Sequence, residues 1–215
     1  MISLIINADD FGYSRVFNDE ILKLIKKDIV KSTSVMVGRI NRSQDDQVKE
    51  LSDLHRGMEI GIGLHLELSE GNASFDDQLT EQYGRFVSIF NFKPSHVDLH
   101  KPEGLKEMTA AMEAVVKLAE RKGVPVRNFG IETRARKTTA NFLMAHADFA
   151  KIRKFLDGMK DGCSYELIAH PGRYDPESKS SLNKERENDV ENLLRVAEYL
   201  KARKDVSNVS YSELS

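Results

Sequence analysis

The chain has 215 residues, 40% of them hydrophobic, which is enough for one substantial domain and too few for more than two small ones. Thirty-two basic residues against thirty-four acidic ones give a net charge of -2, which excludes a global basic footprint for nucleic acid or a polybasic case for a membrane surface. Cys163 is the single cysteine, so an intrachain disulfide and a four-cysteine zinc site are excluded. The apolar run Leu4-Ile5-Ile6 near the start is far short of a signal or membrane segment, so a cytoplasmic enzyme or binding domain is expected.

In chain order, residues 2–6 read as a buried strand. Phe17, Ile21, Leu24, Ile25 and Ile29 then recur at helical spacing, and residues 32–37 are β-branched and strand-like. A polar helix is predicted over 43–55. Ile60, Ile62, Leu64 and Leu66 alternate as a strand does, residues 95–99 form another, and Met108, Met112, Val115 and Leu118 mark the helix after it. Gly123-Val124-Pro125 opens a predicted strand over 126–129, and residues 131–147 read as a loop-rich rim. Residues 167–169 are strand-like. Val190, Leu193, Leu194, Ala197 and Leu200 form a last helical stripe, and 206–211 returns as a strand. No repeat and no linker composition interrupts this pattern, so residues 1–215 are expected to form a single domain. Strands separated by helix-length segments predict an α/β fold of parallel βα units. Six or seven units fit a distorted or incomplete (β/α) barrel, with an open doubly wound sheet as the competing architecture.

The polar residues fall where such folds keep their chemistry, at the carboxyl ends of strands. Asn7-Ala8-Asp9-Asp10-Phe11-Gly12 follows the first strand, and neighbouring carboxylates repel unless a cation or a proton is shared. In Gly61-Ile62-Gly63-Leu64-His65-Leu66 the period of two places both glycines and His65 on one face, leaving room for a close approach. In Ser95-His96-Val97-Asp98-Leu99-His100 three ionisable groups share a face, costly to bury unless they bind a metal or one another. His170-Pro171-Gly172 stops a fourth strand with a histidine at its tip. His55 and His146 read as structural or solvated. One carboxylate and two imidazoles form a recurrent triad for a divalent catalytic ion. Asp10, His65 and His100 can supply it, which leaves Asp9 and His170 for proton transfer in a metal-assisted hydrolysis. On ligand softness, the two imidazoles suit zinc or another late divalent ion better than magnesium.

These four motifs, in this order, resemble the YdjC-like carbohydrate deacetylases, the family of chitooligosaccharide deacetylase, over nearly the whole chain. The resemblance implies the glycoside hydrolase/deacetylase type of distorted barrel and removal of an acetyl group from a small N-acetylated sugar. It implies Asp10, His65 and His100 as metal ligands, magnesium as the ion usually described, Asp9 as general base and His170 as the late histidine. Arg127 falls where an arginine orients the base. A homodimer is implied by the resemblance alone. Past His100 the chain reads Lys101-Pro102-Glu103-Gly104 where many relatives carry further histidines, and it is shorter after Gly71. Two rival readings remain. One is a metal-dependent phosphoesterase binding a sugar phosphate through Arg134, Arg136, Lys137 and Arg173. The other is a non-catalytic carbohydrate-binding protein on the same scaffold.

Overall fold

The structure, a computed structural model, describes residues 1–58, 60–71 and 73–214. Asn72, in the segment after Gly71, lies outside them. Strand β1 (Ile2–Phe11) runs past the hydrophobic stretch that announces it, so the Asn-Ala-Asp-Asp motif is part of the strand itself. Helix α1 (Arg15–Lys26) begins at Ser14, whose hydroxyl accepts from the Val16 amide, and buries Phe17, Ile21, Leu24 and Ile25 as the spacing predicts. Strand β2 (Ser32–Val35), helix α2 (Asp45–Met58) and strand β3 (Gly61–Leu66) follow. Helix α3 (Phe75–Phe90), capped by Ser74, and helix α5 (Phe149–Asp157), capped by Asp148, are additions to the elements read from sequence. Between them lie β4 (Val97–Leu99), α4 (Met108–Lys122) and the two-residue β5 (Leu143–Met144). Strand β6 (Ser164–Ala169), helix α6 (Arg186–Leu200) and strand β7 (Val206–Val209) complete the chain.

Every ladder is parallel, in the order β4-β3-β2-β1-β6-β5. Strand β6 occupies one edge of β1. Strands β7 and β2 share the other, β7 along Ile2–Ile5 and β2 along Asn7–Phe11. The strand expected over 126–129 reduces to one bridge, Val126 to Val97, beyond β4. That bridge carries Arg127 next to it, four strand positions from β1 along the sheet. A flat sheet would separate them by about 19 Å at normal strand spacing. The Arg127 guanidinium instead lies 2.8 Å from Asp9 on β1 and 3.0 Å from Glu166 on β6. The sheet is therefore curled into an incomplete barrel, and the open doubly wound alternative is excluded.

The two faces of this barrel have opposite chemistry. Leu4, Ile6 and Ala8 of β1, Ile62, Leu64 and Leu66 of β3, Val97 and Leu99 of β4, and Leu167 and Ala169 of β6 join one large apolar cluster with the helices. The alternate residues, including Asn7, Ser34, His96, Asp98 and Glu166, face inward and are almost fully buried. A small apolar plug of Ile5, Tyr211 and Leu214 fills the interior beneath them. Residues 206–211 are thus not one strand: β7 stops at Val209 so that Tyr211 can turn in and stack on His96 at 3.9 Å.

Helix α6 also departs from its predicted stripe. Leu194 is exposed, while Asp189, Asn192, Leu193 and Val196 form the buried face.

The glycines of β3 admit protein rather than ligand. A Cβ at Gly63 would stand 2.2 Å from His96 Cε1, and one at Gly61 would stand 2.7 Å from Ser32 Oγ. His96 cannot retreat, because Tyr211 covers its other face. Gly63→Ala is accordingly expected to lower stability by about 1–3 kcal/mol, the usual cost of overpacking. A urea denaturation midpoint indistinguishable from wild type would contradict this account of the interior.

Candidate active site and metal centre

At the carboxyl end of the sheet a pocket of about 450 Å³ is lined by Asp9, Asp10, His65, His100, Arg127 and His170, together with Phe129, Phe142, Met144 and His146. The rim segment 131–147 contributes as expected. The pocket forms because the register of β1 slips between Ala8 and Phe11, and Asp10 takes a φ of 71°. Aspartate tolerates this left-handed region better than most residues. The distortion lets two consecutive carboxylates, which a regular strand would send to opposite faces, both line one cavity.

Asp9 is held from the side of the barrel interior. Arg127 donates from Nη1 to its Oδ2 at 2.9 Å and from Nη2 to its Oδ1 at 2.8 Å, while Asn7 Nδ2 donates to Oδ1 at 2.6 Å. The same guanidinium reaches Asp98 at 2.9 Å and Glu166 at 3.0 Å. Burial opposes charge on Arg127, but Asp9, Asp98 and Glu166 together keep it protonated well above its ordinary range. Burial in turn pushes Glu166 up, with Arg127 only partly offsetting the effect.

Asp10 is held from the other side. Arg186, fully buried at the start of α6, donates from Nη2 to Asp10 Oδ2 at 2.5 Å and stacks on Phe17 at 3.8 Å. Gly172 makes room for this, since a Cβ there would lie 2.7 Å from Phe17 and 2.9 Å from the Arg186 stem. The other oxygen, Asp10 Oδ1, is buried without a hydrogen-bond partner. It lies 3.3 Å from His65 Nε2 and 3.3 Å from His100 Nδ1, and those two nitrogens are 3.1 Å apart. Burial alone would raise Asp10, but the rings of His100 and His65 hold it well below the usual carboxylate range.

The orientation of His65 is fixed from behind. Asp98 Oδ1 takes its Nδ1 proton at 2.7 Å, which leaves Nε2 aimed at Asp10 and His100. Burial works against charge on His65, but Asp98 and Asp9 outweigh it and keep the ring well above the ordinary histidine range. Asp98 also accepts from the Ser34 hydroxyl at 2.7 Å. With that proton committed, His96 Nε2 donates to Ser34 Oγ at 3.0 Å, and Ser95 supplies the proton to Nδ1 at 3.0 Å. Burial brings His96 down to about 4, so it is a neutral spacer inside the barrel.

Three donor atoms with mutual distances of 3.1–3.3 Å, one of them an orphaned buried carboxylate oxygen, suit a single divalent ion. Ligands of one ion stand about 3.0 Å apart in octahedral sites and about 3.4 Å apart in tetrahedral ones. Asp9, His65 and Asp98 also cluster, but both of those carboxylates are already paired with Arg127.

His170 lies at the tip of β6 with Nε2 3.8 Å from Asp9 Oδ2. Burial brings it down to about 4 despite Asp10 and Asp9. Its resting ring is therefore neutral at pH 7. Asp189 of α6 accepts from the His170 main-chain amide at 2.6 Å, and burial raises its carboxyl to about 6.

Every site residue anticipated from sequence lines this pocket; Arg186, Asp98 and Asp189 are added to them. Asp98 was visible in the alternation of residues 95–100. Arg186 and Asp189 sit in the run Lys184-Glu185-Arg186-Glu187, Asn188-Asp189, which carries no signal separating it from a solvated helix start. His55 is structural, with Nδ1 2.6 Å from the Ile60 carbonyl and its ring stacked on Phe92. The proposed phosphate cluster does not assemble at the pocket. Arg136 donates to the Leu214 carbonyl, Lys137 to that of Ile131, and Arg173 pairs with Glu20, while Arg134 lies outside the lining. In place of a further histidine, Lys101 donates to Ser181 Oγ at 2.9 Å across the mouth. No helix among the described residues is long and apolar enough to cross a membrane.

Comparison with known proteins follows the same lines. The family model described as YdjC-like protein matches residues 3–81 and 74–202. A carbohydrate deacetylase of Clostridium beijerinckii is 28% identical over 83% of this chain and 84% of its own length. One of Brevibacillus brevis is 28% identical over 99% of this chain and 100% of its own length. Among solved structures, a protein of Enterococcus faecalis V583 described as a cellobiose-phosphate cleavage protein superposes with a TM-score of 0.76 at 21% identity, covering 99% of this chain and 98% of that one.

If Asp98 sets the His65 tautomer, Asp98→Asn should weaken binding of a divalent ion about 10–100-fold. Equilibrium dialysis with zinc against wild type measures this, and an unchanged dissociation constant would remove Asp98 from the metal's support.

Proposed function

The chain belongs to the YdjC-like family, and we propose that it is a metal-dependent hydrolase that removes the acetyl group from a small N-acetylated sugar or oligosaccharide. The observation that carries this reading is the convergence of the Asp10, His65 and His100 donors beside the Arg127-bound Asp9 and the neutral His170 in one pocket. Deacetylation is the activity named for the relatives of Clostridium and Brevibacillus. A cavity of about 450 Å³ suits a small ligand, and Phe129 and Phe142 give it apolar walls for a sugar ring and its methyl group.

Asp10, His65 and His100 would hold the ion, and their two imidazoles favour zinc or another late divalent ion. When bound there, such an ion supplies Lewis acidity, polarising an amide carbonyl and lowering the pKa of water from about 16 towards about 7. The remaining work falls to the chain's own residues. Asp9 takes the proton of the attacking water, its charge and aim maintained by Arg127. His170 delivers a proton to the departing amine, a poor leaving group without one.

Burial brings His170 down to about 4, so its resting ring carries no acidic proton to donate at neutral pH. His170 instead receives its proton during the cycle. Asp9 Oδ2, 3.8 Å from Nε2, is placed to pass on the proton taken from water. Water and amide are thereby converted to acetic acid and free amine, which leave as acetate and ammonium once the acid's proton passes to the amine, with no net proton change on the two side chains.

The test is acetate release from N-acetylated mono- and disaccharides by metal-stripped protein reloaded with zinc, cobalt, manganese or magnesium. Metal-dependent acetate is expected; silence across the panel with one ion bound per chain would overturn the reading. Asp9→Asn should abolish turnover with metal content intact, and loss of metal would mean the two aspartates are exchanged. His170→Ala should lower kcat by about 10²–10⁴ with little change in KM. An unaltered kcat would exclude it from proton transfer.

A further inference from the structure

Next to the Asp10, His65 and His100 donors, and sharing His170 with the proton-transfer groups, a second group of donors adjoins the pocket. His146, His170 and Asp189 each offer one ligand atom, and the three atoms lie within 4.8 Å of one another. They come from three elements fixed against each other. The β5–β6 ladder pairs Leu143 with Leu167 and Met144 with Ile168, and the Ala145 amide continues it by donating to the Ile168 carbonyl at 2.6 Å. Two residues further, the same register sets His146 beside His170. From helix α6, Asn192 donates to the carbonyls of Ala145 at 2.7 Å and Ala147 at 3.2 Å, which clamps the backbone on both sides of His146. Asp189 lies one turn before Asn192 on that helix.

Two polar atoms in this group lack partners among the described residues. His170 Nδ1 and Asp189 Oδ1 are both buried without a hydrogen bond. They do not satisfy each other. Asp189 Oδ2 already accepts the His170 main-chain amide at 2.6 Å, and the ring nitrogen stands 4.0 Å from that oxygen, beyond hydrogen-bond range. Buried polar atoms are nearly always paired, so two orphans facing one exposed, rotatable histidine mark a place for a ligand with empty orbitals.

We propose that His146, His170 and Asp189 form a second site for a late divalent cation, zinc foremost, whose occupancy withdraws His170 from proton transfer. Two imidazoles and a carboxylate are a zinc-type donor set and a poor one for magnesium. The 4.0 Å between His170 Nδ1 and Asp189 Oδ2 is wider than a bound set requires, so the donors, the exposed His146 side chain among them, must close on the ion. The second site is for that reason weaker than the first. Its filling blocks the reaction instead of driving it, because the ring that protonates the amine is then a ligand. The inhibitory consequence rests on the proposed deacetylation; the binding site does not.

The experiment loads metal-free protein with increasing zinc and measures bound zinc per chain by equilibrium dialysis, for wild type and His146→Ala. His146 has an exposed side chain at the pocket wall, so its replacement leaves the core intact, and the variant's own rate at one zinc per chain is the reference for its inhibition. Wild type is expected to bind two zinc ions, the second at least tenfold more weakly than the first, and His146→Ala to bind one. A single zinc on wild type, or two of unchanged affinity on the variant, overturns the site. In parallel, acetate release by wild type should fall at least tenfold as the second zinc binds, while the variant stays active at the same zinc concentration. Equal inhibition of both proteins would refute the link to His170. Absence of acetate at one zinc per chain would refute the deacetylase reading alone, since the zinc count still decides the second site.

Discussion

The structure depends on one guanidinium. Arg127 enters from the edge beyond β4 and crosses the barrel interior to meet carboxylates on β1, β4 and β6. Three acids that would repel one another in a low-dielectric interior are held in one layer by a cation that cannot lose its proton. Without it the inward face of the sheet could not be polar, because isolated buried carboxylates would have to neutralise. A single Arg127 cannot balance Asp9, Asp98 and Glu166 completely. The shortfall is visible in Glu166, raised by burial, and in His65, which favours a proton against its own burial. Asp98 and Asp9 act on His65 beside Asp10 and His100, so the affinity proposed there for a divalent cation follows from how the interior is charged as well as from which atoms face the pocket.

Much of this was legible in the sequence. Period-two alternation named the inward residues of β3 and β4 correctly, because a strand leaves no choice about which side chains share a face. The parallel architecture followed from the spacing of strands and helices, and the order of the four motifs pointed to the family. What could not be read was the contact made by chain reversal. Arg186 lies 176 residues from Asp10, in a charged stretch that looks solvated, and only the packing of α6 onto Phe17 brings it under the site. Helices α3 and α5 were overlooked although Leu79, Phe86 and Phe90 in one and Ile152 and Leu156 in the other recur at helical spacing; their capping residues, Ser74 and Asp148, are common in loops. The stripe read for α6 holds at Val190, Leu193, Ala197 and Leu200 and fails at Leu194, and an apolar stripe could not reveal the polar Asp189 and Asn192 on the same buried face. Gly61 and Gly63 were correctly read as room for close approach, but what approaches is the chain's own Ser32 and His96.

The two roles proposed for the dipeptide Asp9-Asp10 correspond to two arginines that hold its carboxylates differently. A carboxylate offers about four lone-pair sites. Asp9 has three filled, two on Oδ1 by Asn7 and Arg127 and one on Oδ2 by Arg127. The one site left is on Oδ2, the atom that stands 3.8 Å from His170 Nε2. That arrangement leaves a single direction from which a proton can be taken or given. Asp10 is bound by Arg186 through Oδ2 alone, so the whole of Oδ1 stays open toward His65 and His100. A carboxylate gripped on both oxygens is limited to proton traffic, and one gripped on a single oxygen remains a ligand. The left-handed turn at Asp10 presents the two residues to arginines on opposite sides, so a local distortion of one strand underlies the division of labour we propose between base and metal ligand.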